Sequence, residues 1–183
     1  MEEREQLLRR VALKCADFAR QLSYHRALGE HAKEFKQNFW ICMYNNAIDL
    51  AVLDWFHLFG YHNDDLHWKR IVQDIAAFKQ GLFQSVGMSG GQWAAYRESI
   101  KDYRDKDVAH IEVRPVSQVP EMAVALQAAA YYYAYVLNEL SGYSNYTSWP
   151  KELNDYYHAS LAQTKPIVDR AYTATSHIEE KVL

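Results

Sequence analysis

Arg104 and His110 are the two residues of this sequence whose types and spacing best suit a chemical reaction. Five residues, numbered 105–109, separate them along the chain. Histidine, with an unperturbed pKa of about 6.5, transfers protons near neutral pH. Arginine presents a planar fork of donors that binds a phosphate while negative charge builds on it. The pair therefore predicts cleavage of RNA through its own 2′-hydroxyl, because that reaction needs both a proton shuttle and a phosphate-binding cation.

The helix expected around Arg104 limits how the two side chains work together. Its buried stripe is predicted by four residues spaced by 3, 4 and 3 positions, namely Trp93, Tyr96, Ile100 and Tyr103. At about 100° per residue, a regular helix holds Arg104 and His110 about 120° apart. Two arrangements would still let them grip one phosphate: the helix ends between them, or the working site combines residues from two chains.

Further charged residues surround this pair. Arg97, Lys101 and Arg104 line one flank of the predicted helix at positions i, i+4 and i+7. Asp107 lies three residues from both Arg104 and His110, and we expect it to orient one of them through a hydrogen bond. The expected substrate-binding residues beside the catalytic pair are Arg97, Lys101, Tyr103 and Asp107.

The same charges also have an ordinary structural explanation. The pairs with the spacing of helix-surface ion pairs are Lys101–Asp105, Asp102–Lys106 and Arg104–Asp107. Each such pair stabilises a helix by only about 0.2–0.5 kcal/mol. A helix covered with ion pairs accounts for most of these charges without any catalysis.

The Tyr-Arg-Asp-Lys segment at 103–106, followed by Ala109 and His110, resembles the signature of the HEPN superfamily. It is most similar to the bacterial abortive-infection branches. The resemblance implies a toxin-like, metal-independent endoribonuclease of bacterial defence or stress that needs no cofactor. Two copies of the motif would face one cleft in a homodimer. On this mapping Arg104 would hold the phosphate, His110 would serve in acid–base catalysis, and Asp105 would be the polar residue after the arginine.

The resemblance also implies products and partners. Cleavage of RNA would leave 2′,3′-cyclic phosphate and 5′-hydroxyl ends, and an antitoxin or other regulatory protein would be a partner. Glu112 stands where HEPN toxins silenced by a partner nucleotidyltransferase carry the modified tyrosine, so we do not expect that antitoxin. The alternative is a catalytically inactive HEPN-like module that binds a nucleotide, an RNA or a protein. The net charge of −3 favours the alternative, because RNA binding then needs a local cationic patch.

Composition predicts an all-α antiparallel bundle of about five to six helices. The 183 residues are expected to form one domain, 1–183, and only 7 are glycine and 4 proline. We expect a cytoplasmic protein, because no apolar run is long enough to span a membrane and the charged N-terminus does not resemble a signal peptide. Cys15 and Cys42 are expected to be buried, reduced thiols.

Six amphipathic stretches define the expected helices. They lie at about 3–27, from the low thirties to 59, after capping residues 63–65, over about 93–103, after Pro120, and from Trp149 onward. The second is apolar on most sides over 47–59, so we expect it at the centre of the bundle. The apolar positions that identify this helix are Phe35, Phe39, Met43, Ala47, Leu50, Trp55 and Phe59. Pro166 is expected to break or kink the sixth helix.

Two other groups of polar residues call for an explanation. The first could hold a metal ion and comprises His57, His62, His67, Asp64 and Asp65. Its histidine spacing of five does not suit one helical face, so we expect these residues to be caps and solvated loop residues. The second group interrupts the apolar second helix and comprises Asn45, Asn46, Asp49 and Asp54. Because buried polar groups need partners, we expect these side chains to hydrogen-bond neighbouring helices.

Overall fold

Helices make up all the regular structure of the computed structural model, which describes residues 2–105, 119–143 and 149–180. The seven α-helices in these ranges are α1 (Glu2–Gly29), α2 (Asn38–Phe59), α3 (Trp68–Ile71), α4 (Ile75–Val86), α5 (Gly90–Tyr103), α6 (Met122–Leu140) and α7 (Leu153–Thr175). A 3₁₀ turn, Ala32–Glu34, lies between α1 and α2. The prediction of an all-helical chain is confirmed for the described residues. The expected number of five to six helices is too low.

α1 makes the most extensive contacts with other helices, and it contacts α2, α6 and α7. Its buried side chains follow the 3, 4, 3, 4 spacing that the sequence predicts: Leu8, Val11, Cys15, Phe18 and Leu22. Lys14 also donates to Asp54 in α2, with 2.7 Å between Nζ and Oδ1. The prediction placed α2 at the centre of the bundle, but α1 is the more heavily covered helix.

α2 is apolar on two faces, and only one of them enters the core. Ile48, Val52 and Trp55 are fully buried in the main hydrophobic cluster. Of the apolar positions predicted for this helix, Ala47, Trp55 and Phe59 are buried. Three others lie on the second face and are exposed: Phe39 by 57%, Met43 by 39% and Leu50 by 46%. Helical periodicity cannot choose between two apolar faces of one helix.

The single helix predicted after residues 63–65 is two helices, because two separate side chains start them. His67 caps α3, accepting a hydrogen bond at Nδ1 from the backbone N–H of Lys69 at 3.2 Å. Asp74 caps α4, accepting from the N–H of Ala77 at 2.9 Å. Residues 63–65 do not cap a helix; the side chain of Asp64 instead accepts from the N–H of Leu66 within the loop.

α5, which carries Arg104 at its end, has a strongly defined start. Gly87 adopts a left-handed conformation, with φ of 66°, and ends α4 there. Ser89 and Gln92 then form a reciprocal capping box at the first turn of α5. Ile100 is fully buried on the inner face of this helix, and Trp93 and Tyr103 are nearly so. The predicted stripe of α5 is therefore confirmed at these three positions.

α7 continues through Pro166 to Thr175 without a break. Val168 and Tyr172, which follow the proline, are buried in a second, smaller core with Trp40 and Leu28. This tertiary packing stabilises the helix beyond the position where proline removes a hydrogen bond. None of the described helices combines the length and hydropathy needed to cross a bilayer.

The polar residues of α2 have two different environments. Asp49 accepts from the hydroxyl of Tyr103 at 2.9 Å and Asp54 pairs with α1, as the prediction of an interhelical network requires. Asn45 and Asn46 are exposed and do not belong to it. Cys42 is exposed as well, which contradicts the prediction of two buried thiols, whereas Cys15 is buried.

Candidate functional site

Arg104 lies directly after α5 and is held against two aromatic rings that pack edge to face on each other. Its guanidinium carbon is 4.1 Å from the centre of the Phe56 ring and 5.0 Å from that of Tyr61. Nη2 also donates a hydrogen bond to the Tyr61 hydroxyl at 3.1 Å. A planar guanidinium stacks on such rings, while a lysine ammonium has no flat face to match them. The orientation of Arg104 is therefore fixed from the side of α2.

Asp105 is the ion-pair partner of Arg104. Its Oδ1 accepts from Nε of Arg104 at 2.7 Å and also contacts Nη2. The predicted polar residue after the arginine is thus close to it, and it occupies two of the donors that a phosphate would use. A bound phosphate must therefore compete with this carboxylate.

Arg97 and Lys101 lie on the same flank of α5, as predicted, and both have partners there. Arg97 donates from Nη2 to the backbone oxygen of Gly60 at 2.6 Å. Burial lowers the pKa of Arg97 from its usual value. Lys101 donates to Glu98 at 2.7 Å and lies 3.9 Å from Asp105, and the bond to Glu98 raises its pKa. The expected Lys101–Asp105 pair therefore forms, but only as a longer contact.

Tyr103 lies on the opposite side of α5 from these cations. Only 5% of its surface is exposed, and its hydroxyl donates to Asp49. In this structure Tyr103 contributes to the core and to the contact between α5 and α2.

The remaining predicted site residues, His110 and Asp107, lie outside the described residues, as do Lys106 and Glu112. The expected pairs Arg104–Asp107 and Asp102–Lys106 therefore stay predictions. The arrangement of Arg104 relative to His110 also stays a prediction.

A small cavity of about 110 Å³ brings Arg104 together with a histidine that the sequence did not single out for catalysis. Its lining residues are Leu53, Phe56, His57, Tyr61, Asp64 and Arg104. His57 bonds through Nδ1 to Oδ2 of Asp64, and about half of its side chain is exposed. We predicted only a capping or solvated role for His57. The sequence gives no indication that His57 and Arg104 share a cavity, because their proximity depends on how α2 packs against α5.

His62, His67, Lys69 and Arg97 form a second cluster of nitrogen-bearing side chains, near the turn that follows α2. Lys69 Nζ lies 3.5 Å from Nε2 of His62, and the rings of His62 and His67 have centres 4.9 Å apart. Burial, followed by the charges of His62, Arg97 and Lys69, lowers the pKa of His67 to about 3. His67 is therefore a buried, neutral cap and not a solvated loop residue. Within the described ranges, no three acidic, histidine or cysteine side chains are placed to hold a metal ion.

The exposed face of α2 leads to the cavity. Six of its residues are spaced by 4, 3, 4, 3 and 4 positions: Phe39, Met43, Asn46, Leu50, Leu53 and His57. We call this set the α2 stripe. Four of its members are apolar, and Leu53 and His57 line the Arg104 cavity at its end. Spacing of this kind is typical of a helix that packs against another helix.

Comparison with known proteins adds no relative. No protein-family model matches the chain, and neither curated proteins nor solved structures show a significant match to it. The function of this chain is therefore inferred from its own residues: an arginine over aromatic rings, a histidine in the same cavity, and two further cations, Arg97 and Lys69.

Proposed function

We propose that this chain is a HEPN-like, metal-independent endoribonuclease of bacterial defence or stress. Arg104 and His110 would work at a homodimer cleft. The observation that carries the proposal is the fixed position of Arg104, stacked on Phe56 and bonded to Tyr61 at the edge of a cavity. A cation that is already oriented stabilises developing phosphate charge without first being ordered.

Two further cations near Arg104, Arg97 and Lys69, support RNA as the substrate. The net charge of −3 gives no general attraction to nucleic acid, so binding has to come from a local patch. Arg97 and Arg104 lie on one flank of α5, and Lys69 is close enough to Arg97 that burial and then the charge of Arg97 lower the Lys69 pKa. In the part of the chain that the structure describes, no carboxylate contacts His62 or Lys69. Lys69 is therefore available to a neighbouring phosphate of an RNA strand. Burial and the charges of Lys69 and Arg97 lower the pKa of His62, so His62 does not add to the positive charge.

The reaction would be a transesterification within the RNA. The 2′-hydroxyl loses its proton, its oxygen forms a bond to phosphorus, and the bond from phosphorus to the 5′-oxygen breaks. The leaving oxygen takes up a proton, which yields a 2′,3′-cyclic phosphate and a 5′-hydroxyl. Arg104 would bind the non-bridging oxygens, and His110 would transfer a proton.

The α2 stripe supports the homodimer. It leaves Phe39, Met43 and Leu50 exposed along one helix face. The C-terminal end of the stripe, at Leu53 and His57, lines the Arg104 cavity. Two copies that cross near Leu53 would bring both cavities into one cleft. Arg104 of one copy and His110 of the other could then contact the same phosphate, although a regular helix would hold the two residues of one copy about 120° apart.

The test is incubation of purified protein with structured and single-stranded RNA, followed by analysis of the ends produced. His110→Ala should slow cleavage by about 10²- to 10⁴-fold, because it removes a proton-transfer group. Arg104→Lys should lose much of the activity, because a point charge does not replace a bidentate fork. Arg70→Lys is the matched control, since Arg70 pairs with Asp65 on the surface. Excess EDTA should leave cleavage intact.

A second candidate function is a catalytically inactive HEPN-like module that binds a nucleotide, an RNA or a protein. The specific observation in its favour is that Asp105 occupies both Nε and Nη2 of Arg104. The same assay separates the two functions. Absence of cleavage by the wild type across a broad RNA panel, with binding retained, would favour the module.

A further inference from the structure

His57 and Arg104 approach one cavity from different helices. His57 belongs to the last turn of α2, and Arg104 follows α5. Both line the cavity of about 110 Å³, together with Tyr61. This relationship differs from that of Arg104 and His110, which a regular helix would turn about 120° apart. Among the described residues, His57 is the histidine that shares a cavity with Arg104.

Asp64 holds the His57 ring in a defined orientation. Oδ2 of Asp64 accepts from Nδ1 of His57, while Oδ1 accepts from the backbone N–H of Leu66 at 3.0 Å. An ionised carboxylate only accepts hydrogen bonds, so the proton of neutral His57 lies on Nδ1. Nε2 is then the free acceptor. The side chain of His57 is 49% exposed, so a substrate can reach it.

Tyr61 adds a donor to the same cavity. Its oxygen accepts from Nη2 of Arg104, which leaves its own hydroxyl proton available to a ligand. The cavity thus offers a proton acceptor at His57, a cation at Arg104 and a hydroxyl at Tyr61. This set of groups complements a ribose 2′-hydroxyl next to a phosphodiester.

We propose that His57 is the general base of the Arg104 site, with Asp64 as its positioning residue and an RNA 2′-hydroxyl as the group it deprotonates. This inference rests on the proposed ribonuclease function. It adds a second histidine to the reaction and assigns the two histidines different steps.

The proton balance follows from that division. Nε2 of neutral His57 takes the proton of the 2′-hydroxyl as the bond from O2′ to phosphorus forms. The bond from phosphorus to O5′ breaks, and O5′ takes a proton from protonated His110. His57 then returns its proton to water, and His110 regains one from water. The cyclic phosphate keeps one negative charge beside Arg104.

The experiment compares two RNA substrates that differ in the leaving atom. One has the natural 5′-oxygen, and the other has a 5′-bridging sulfur, which leaves without being protonated. His57→Gln should lower kcat by about 10²- to 10⁴-fold on both, because both still need a base. His110→Ala should be slow on the oxygen substrate and recover on the sulfur substrate. His158→Gln, a change at an exposed histidine of α7, is the matched control.

Asp64→Asn tests the positioning role with a readout that a merely structural role would not change. An asparagine amide can donate to Nδ1, which favours the tautomer with the proton on Nε2. Nitrogen NMR of the His57 ring should therefore show the proton moving from Nδ1 to Nε2. In the same variant kcat should fall while KM stays near the wild-type value.

The outcomes are distinct. If His57→Gln cuts both substrates as fast as the wild type, or recovers on the sulfur substrate, the base assignment is wrong and the ribonuclease function stands. If the wild type cuts neither substrate, the proposed function itself fails and the role of His57 fails with it. Circular dichroism of each variant checks that a lost rate is not lost folding.

Discussion

The guanidinium of Arg104 lies over the ring of Phe56, with its central carbon 4.1 Å from the ring centre. Phe56 is itself buried, so the cation is held against the edge of the hydrophobic core. The position of a charged surface residue is thereby determined by a core residue of another helix. Changes to that core residue should alter the chemistry of the site without touching any polar group.

Phe56→Leu should therefore reduce RNA cleavage. Leucine keeps an apolar side chain in the core but offers no ring face to the cation. Loss of this cation–ring interaction should lower kcat/KM by about 2- to 5-fold. The cost in folding free energy should be on the order of 1 kcal/mol. Phe83→Leu is the control, because Lys79 lies over Phe83 at 5.5 Å in another part of the fold. Equal cleavage by both variants would show that stacking does not position Arg104.

Gly60→Ala should destabilise the protein, because a Cβ at this position would overlap both the backbone oxygen and the ring of Phe56. The chain turns here after α2, and the oxygen of Gly60 accepts from Arg97. We expect a loss of about 1–3 kcal/mol, measured by thermal unfolding followed by circular dichroism. Gly91→Ala is the matched control, since a Cβ there meets no atom within 4 Å. Equal melting temperatures for the two variants would contradict this account of the turn.

His67 should make stability depend on pH. Burial and neighbouring cations lower its pKa from 6.5 to about 3 in the folded chain. The unfolded chain therefore binds a proton near pH 6.5 that the folded chain does not bind until about pH 3. The contribution of His67 to the free energy of unfolding is complete above about pH 6.5. It falls by about 1.4 kcal/mol per pH unit as the pH decreases through this window.

Urea unfolding at pH 7, 5.5 and 4.5 measures this effect. His67→Asn keeps an oxygen that can cap α3 and lacks the titrating ring, so its stability should change less with pH. His158→Gln, on the surface of α7, should keep the wild-type slope. A His67→Asn slope as steep as that of the wild type would mean that other groups cause the acid sensitivity.

Leu50→Glu should prevent dimer formation. Leu50 is 46% exposed at the middle of the α2 stripe, and a buried unpaired carboxylate there would oppose the contact between two copies. Light scattering at micromolar concentration should give a dimer for the wild type and a monomer for the variant. Leu13→Glu changes an equally exposed leucine on α1 and should leave the dimer intact. A monomeric wild type would remove the homodimer cleft from the proposed mechanism.

Sequence periodicity was sufficient to identify the buried face of helices that have a single apolar face. The 3–4 spacing of Leu8, Val11 and Cys15 identified the buried face of α1. It failed for α2, where Leu50 and Ile48 are both apolar and only packing decides which is buried. It does not separate the helix cap at His67 from the solvated histidines of the same group, since a histidine that caps a helix has the same sequence appearance as a loop histidine.

The candidate site likewise contains one contact that the sequence predicts and others that depend on tertiary packing. Arg104 and Asp105 are adjacent in sequence, so their proximity was predictable. His57 and Arg104 are far apart in sequence and meet only because α2 packs against α5. The Asp64–His57 bond also depends on the path of the loop after Gly60, which no periodic pattern encodes.

The two cysteines differ in reactivity, so a thiol-reactive dye can label one of them selectively. Burial raises the pKa of the Cys15 thiol well above its usual value, so it stays protonated and shielded. Cys42 is exposed and contacts Asn46 of the α2 stripe at 3.4 Å. A maleimide dye would therefore attach at one known point, directly beside the helix face in question. Its fluorescence emission should change when a second copy of the chain binds the α2 stripe, and no cysteine has to be introduced for the measurement.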